Sequence, residues 1–238
     1  MVNYEAVRQR FDDQYGPGAE VRNVPYASEA AFLHAETKEI AAPPAPLVAL
    51  RPADAPLIVS VSRHDPRKGI PVLLRALAEL RDAGVRFRAC LVSGGEYFDA
   101  SRRLAEQLRL GDQVVLTGWV PDPFDYLQHA DVFVLPSLQE GSGSVALLEA
   151  LQAGAAIVAS DLDGIPEDVT DGESALLVEP GNVNALSRAL RQVVTDTALR
   201  ERLRQRARAT YEARFSAEAL TVALRDIYAE MGFTAASD

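Results

Sequence analysis

Residues 132–149 read Val-Phe-Val-Leu-Pro-Ser-Leu-Gln-Glu-Gly-Ser-Gly-Ser-Val-Ala-Leu-Leu-Glu, an apolar strand running through a glycine-rich turn into a helix. Such a junction leaves the first backbone N–H groups of the helix without partners, and the helix dipole favours negative charge beside them. Gly141, Ser142 and Gly143 form a turn that a diphosphate can approach closely. Glu140 stands at the strand end and Glu149 inside the helix, so a carboxylate flanks each end of the turn. Placed so, Glu149 can accept the hydroxyls of a ribose and Glu140 those of a sugar beyond the phosphates. The segment therefore reads as a seat for a sugar nucleotide, although taken alone it also fits an ordinary loop with a solvated Glu140 and a helix-face Glu149.

Outward from this junction the pattern repeats. Short β-rich apolar runs at 57–61, 87–92, 114–117, 132–135, 156–159 and 175–178 alternate with helical stretches at 70–83, 100–109, 124–128 and 145–152. The alternation predicts an α/β fold, a doubly wound, Rossmann-like parallel sheet of about six strands with crossover helices. Ligands of such sheets bind at the carboxyl ends of the strands, so segments 62–69, 93–96, 118–121 and 139–144 are expected to line one crevice. Further helices are predicted at 183–194, 199–215 and 217–231, the last with Leu220, Leu224, Ile227 and Met231 along one side and in need of a partner surface. The N-terminal part differs: an amphipathic helix at 4–15, a strand-like piece at 20–24 and a capped helix at 28–36. Prolines at 43, 44, 46, 52 and 56 then predict an extended connector. The chain accordingly divides into an N-terminal tail with linker, 1–45, and a ligand-binding domain, 46–238.

In 238 residues, 34 Asp and Glu outnumber 24 Lys and Arg, a formal charge of −10 that argues against broad binding to nucleic acid or anionic membranes. An anionic ligand must be met by local cations. No run is long enough to span a bilayer and the first five residues carry no basic-then-apolar leader, so a cytoplasmic location is expected. Cys90, the only cysteine, lies in an apolar run and reads as a small buried hydrophobe. His34, His64 and His129 lack metal-ligand spacing, and no metal or other cofactor is expected. Dehydrogenase and P-loop readings lack their phosphate loops, because neither Gly-x-Gly-x-x-Gly after the first strand nor Gly-x4-Gly-Lys-Ser/Thr occurs.

The local cations follow the first strand, in Ser62-Arg63-His64-Asp65-Pro66-Arg67-Lys68-Gly69. Arg63 and Lys68 can point at the glycine turn, where two fixed charges would neutralise a diphosphate and stabilise the charge that develops as it departs. The alternative is a surface turn with solvated side chains. Gly94-Gly95 gives a base room. Trp119 is either a ligand platform or a lid over the core. In the acidic group Asp161, Asp163, Glu167 and Asp168, helix capping accounts for Asp163 as well as catalysis does.

Five motifs stand in order: Val61-Ser-Arg63-x4-Lys68-Gly69, Val115-Leu-Thr-Gly118-Trp-Val120, Pro136-Ser-Leu-Gln-Glu140-Gly, Leu148-Glu149-Ala, and Ala159-Ser-x3-Gly164-Ile-Pro-Glu167. Together they resemble the donor-binding, C-terminal half of the retaining GT-B glycosyltransferases, in the large family called "glycosyl transferases group 1", over roughly 56–215. The resemblance implies that Arg63 and Lys68 hold the diphosphate and that Glu140 touches the transferred sugar. It implies further that Glu149 holds the ribose, that the backbone at Trp119 and Val120 pairs with the base edge, and that the N–H groups of Ser144 and Val145 complete the cradle begun at Gly141, Ser142 and Gly143. The implied reaction is metal-independent hexosyl transfer with retention from a nucleoside diphosphate sugar such as a UDP-sugar, by front-face attack, the departing phosphate helping to deprotonate the acceptor.

Two departures from the family pattern stand out. Eight residues, 141–148, separate the glutamates where the family usually has seven, which is expected to push Glu140 outward if the helix keeps its register with Glu149. Residues 1–36 resemble only the tail of the family's acceptor domain, with Val24-Pro25-Tyr26 leading into the linker. The implied partner is an acceptor-binding N-terminal domain or subunit, without which the chain is expected to bind nucleotide but transfer no sugar. The competing expectation is a non-catalytic nucleotide-binding or assembly module of the same fold. Motifs of related epimerases and phosphorylases are not visible.

Overall fold

Six apolar runs pair into one parallel sheet: β1 (Leu57–Val61), β2 (Arg88–Val92), β3 (Val114–Leu116), β4 (Val132–Leu135), β5 (Ala156–Ser160) and β6 (Ala175–Val178), in the order β3-β2-β1-β4-β5-β6. The structure is a computed structural model and describes residues 4–16, 26–34 and 40–232. Strand order reverses between β1 and β4, where Val59 lies opposite Phe133, so the crevice for a ligand opens at the carboxyl ends of these two strands.

The strands are mostly apolar because both faces are covered, and their period of two sorts the side chains. Val59, Val61, Phe133, Leu135 and Ile157 belong to one apolar cluster, whereas Ile58, Val132, Val134 and Val158 belong to another. Helices α7 (Val145–Ala153) and α10 (Thr197–Arg214) cover the first face, and α4 (Ile70–Asp82) and α9 (Val183–Thr195) the second. Helices α5 (Phe98–Gln107), α6 (Phe124–Leu127) and α8 (Ile165–Asp168) complete the crossovers. Side chains of Asn182 and Asp196 cap α9 and α10, accepting from Ala185 and Leu199 N–H. Ser216 likewise caps α11 (Ala217–Glu230), which runs beside α10. Leu220, Leu224 and Ile227 are only half-buried there, and Met231 is exposed.

In the N-terminal part, α1 (Glu5–Tyr15) and α2 (Ala30–Leu33) form where helices were expected, with Ser28 Oγ capping Ala31 N–H. The strand expected at 20–24 and the end of the helix expected at 28–36 lie outside the described residues. The extended connector is corrected by a short helix, α3 (Ala45–Ala49), which tolerates Pro46 because proline in a first turn removes no needed donor. Burial of Leu47 and Leu50 sets the chain direction there. Ala30, Ala31, Leu47 and Leu50 join the same apolar cluster as α7 and the sheet, and Gln152 of α7 donates to Ala30 O. Cys90 is fully buried, and burial pushes its thiol up to about 12, as a small hydrophobe requires. No described helix is long and apolar enough to cross a membrane.

Gly69, at φ +63°, lies against the backbone of Pro136, and any side chain there would collide with the Pro136 carbonyl oxygen. Gly84, at φ +72°, faces open space. Gly84→Ala is therefore expected to cost only left-handed backbone strain, about 1–2 kcal/mol, while Gly69→Ala costs clearly more because two loops must separate. Urea unfolding of both variants checks the difference.

Candidate functional site

Every strand points its carboxyl end to the same edge, and the loops there are tied to one another. After β1, His64 N–H donates to Gly94 O at 2.8 Å and Tyr97 N–H to His64 O at 3.0 Å, joining the loops after β1 and β2. Ser93 N–H reaches Gly118 O at 3.1 Å, joining β2 to β3. Leu138 and Gln139 N–H both donate to Arg67 O, at 2.6 and 3.2 Å, and Gly69 makes its close approach to Pro136 beside them. Gly164 N–H donates to Ser142 O at 3.0 Å, joining the loops after β4 and β5. These bonds join the loops after β1, β2, β4 and β5 and the end of β3 into one connected rim.

Within it Lys68 and Glu140 meet. Lys68 Nζ donates to both carboxylate oxygens, at 2.8 and 2.7 Å, and Ser137 Oγ donates to one of them. The Glu140 side chain is 4% exposed and that of Lys68 18%. The outward displacement expected from the extra residue in the turn does not occur. Gly141 has φ +83°, a conformation open to glycine, and Glu140 faces inward onto Lys68. Arg63 is exposed and, among the described residues, no ion pair holds it. It borders a cleft of about 460 Å³ with His64, Asp65, Arg67, Gly95 and Glu96.

Beyond Glu140, helix α7 begins after Ser144. The carbonyl of Ser144 accepts from Leu147 and Leu148, whereas the N–H groups of Ser144, Val145 and Ala146 meet no acceptor among the described residues. Unpaired N–H groups at a helix start favour negative charge beside them. Glu149 follows on the same helix, partly buried. Burial, with Asp122 and Glu29 nearby, raises its carboxyl to about 7. His34 Nε2 lies 3.2 Å from Asp122 Oδ2 and its ring stacks on Phe124, which ties the N-terminal segment to the loop after β3. Trp119 is 78% exposed in that loop, so it is no lid over the core. Val120 is half-buried against the core beside it.

Several residues take roles that spacing did not show. A Cβ on Gly95 would strike the His64 backbone, so this glycine serves the packing of the two loops. His64 is 1% exposed with neither ring nitrogen partnered, and burial lowers its pKa to about 4. Asp163 does not cap α8: its Oδ2 accepts the N–H groups of Glu140 and Gly141, at 2.7 and 2.8 Å. Asp168 is buried, raised to about 6 by that burial, and accepts from Tyr4 Oη at 2.8 Å. The Tyr4 ring fills the space left by Gly143 and Gly164. The histidines do not converge, and no metal-competent group of His, Cys, Asp and Glu occurs among the described residues.

The sequence and the fold match known proteins. The family described as "Glycosyl transferases group 1" matches residues 48–210, and the chain belongs to this family. It is 36% identical over 178 residues to the lipopolysaccharide core biosynthesis glycosyltransferase LpsE of Rhizobium meliloti, covering 75% of this chain and 51% of the relative. It is 31% identical to a GDP-mannose-dependent α-(1-6)-phosphatidylinositol monomannoside mannosyltransferase of Mycolicibacterium smegmatis, covering 79% and 51% of the two. The chain thus spans about half the length of these curated relatives. Among solved structures, a glycosyltransferase from Rickettsia africae superposes with a TM-score of 0.80 at 20% identity, covering 98% of this chain and 63% of the other. Anabaena HepE in complex with UDP-glucose gives 0.77 at 24%, covering 97% and 62%. The sheet is therefore that of a GT-B glycosyltransferase half.

Because the folded-state pKa of Glu149 lies above its ordinary 4.5, ionisation works against folding. Its contribution to stability is complete below about pH 4.5 and is lost as the pH climbs to about 7. Glu149→Gln is expected to flatten this decline and to be the more stable protein at alkaline pH by about 1–3 kcal/mol, read from urea unfolding of both proteins across that range.

Proposed function

We propose that this chain binds the donor of a glycosyl transfer, a nucleoside diphosphate sugar, along the rim from Arg63 to Glu149. The observation that carries the reading is the meeting of Lys68 with Glu140 next to the three open amides at the start of α7. Arg63, Lys68 and the Ser144 and Val145 N–H groups hold the diphosphate. Glu149 accepts the ribose hydroxyls, for which it must ionise, and the backbone at Trp119 and Val120 meets the base edge. Glu140 and the turn through Gly141, Ser142 and Gly143 face the hexose. Two cations and oriented amides supply the charge stabilisation that a departing nucleoside diphosphate needs, so the reaction is metal-independent. Transfer retains the anomeric configuration and takes place with an acceptor-binding domain or subunit alongside. Supporting this reading are the ordered motifs, the family membership, and relatives whose names specify glycosyl transfer.

A second reading, a non-catalytic nucleotide-binding or assembly module, draws on one observation: Lys68 and Glu140 already neutralise each other. Sugar transfer on addition of an acceptor-binding partner would exclude it.

Calorimetry with UDP, GDP and ADP tests donor binding. One of the three should bind, and binding by none would overturn the proposal. Arg63→Ala removes an exposed charge without leaving a buried partner and is expected to weaken the best binder roughly 10-fold or more, as loss of a charge-assisted hydrogen bond does. Lys68→Ala and Glu149→Ala should weaken it as well.

A further inference from the structure

Asp163 is one of three non-glycine residues with positive φ among those described, at φ +51°, a conformation that Asp adopts more readily than most residues. It sits between β5 and α8, more than twenty positions along the chain from the glutamate turn, yet its carboxylate is spent on that turn. Oδ2 accepts both Glu140 N–H at 2.7 Å and Gly141 N–H at 2.8 Å. In return Gly164 N–H donates to Ser142 O at 3.0 Å, so the two loops are latched in both directions. The other oxygen, Oδ1, accepts from Arg10 Nη2 of α1 at 3.1 Å. Burial opposes the charge of Asp163, but the amides of Gly141 and Glu140 and the Arg10 guanidinium outweigh it and hold its carboxyl below the usual range.

Those two amides are the ones whose direction decides where Glu140 goes. With eight residues between the glutamates the turn has one more than the family pattern, and freed amides could turn Glu140 toward solvent. A carboxylate bridging consecutive N–H groups removes that freedom, and Glu140 is left facing Lys68 at 2.7 Å. We infer that Asp163 is the positioning residue of the sugar end of the site, fixing the backbone of Glu140 and Gly141 so that the Glu140 carboxylate is presented from the rim. The inference rests on the donor-site reading above. Asp163 itself touches neither phosphate nor sugar. Arg10 adds a weaker link from α1, because its side chain is 53% exposed and exposed pairs contribute little.

Asp163→Gly keeps the left-handed backbone and deletes the carboxylate, while Asp163→Asn keeps an acceptor oxygen. The first readout needs no ligand: hydrogen exchange at the Glu140 and Gly141 amides by NMR. Exchange should accelerate at least 10-fold in Asp163→Gly and recover most of its protection in Asp163→Asn. Unchanged exchange in Asp163→Gly overturns the inference even if no nucleotide binds, an outcome that on its own would defeat only the donor-site reading. The second readout compares the best-binding nucleoside diphosphate with its sugar conjugates, UDP with UDP-glucose or GDP with GDP-mannose. In Asp163→Gly the diphosphate should bind within about threefold of wild type and the sugar conjugate at least 10-fold more weakly, with Asp163→Asn in between. Equal weakening of both ligands, or of neither, overturns it.

Discussion

The contact on which the site depends is the close approach of two loop backbones, the one after β1 and the one after β4. Gly69 has no side chain and lies against the carbonyl of Pro136, and Arg67 O receives two N–H groups from residues 138 and 139. Beside that contact Lys68 Nζ meets both oxygens of Glu140. At their burial neither charge is comfortable alone, and removing one partner of such a pair costs about 3–5 kcal/mol. On the proposed reading, a donor does not enter a vacant electrostatic field. It takes over an existing pair, its phosphates drawing on Lys68 and its sugar hydroxyls on Glu140.

On the proposed reading, the same economy of charge lets a chain with a formal charge of −10 hold an anionic ligand. The positive field is local: Arg63, exposed and without an ion pair among the described residues, and the open amides at the start of α7. The acids near the site are meanwhile restrained. Glu140 is paired, Asp163 is bound to two amides, and Glu149 is shifted to about 7 by burial beside Asp122 and Glu29. A carboxyl titrating there adds less than a full negative charge to the rim near neutral pH and, on the proposed reading, accepts ribose hydroxyls when ionised.

The sheet was the most legible part of the sequence. β1, β4 and β6 begin and end where the apolar runs do, because strands of a sheet covered on both faces are mostly apolar. Helix α3 was missed because prolines in a first turn resemble prolines in an extended segment until Leu47 and Leu50 are seen to be buried. The residues of the rim were named from their motifs, but their pairings were not. Glu140 was expected to move outward if the helix kept its register, and Asp163 to serve in capping or in catalysis. In each case the deciding contact comes from another loop.

By itself, the sequence determined the alternation of strands and helices and the chemical types gathered at the strand ends, since hydrophobic period and glycine-rich turns are properties of neighbouring residues. Tertiary structure alone decided which charges neutralise each other, which acid is raised and which lowered, and where the glutamate turn points. Those outcomes hang on contacts such as Lys68 with Glu140, 72 positions apart, and Tyr4 with Asp168, 164 apart, where distance and burial rather than residue type set the energy.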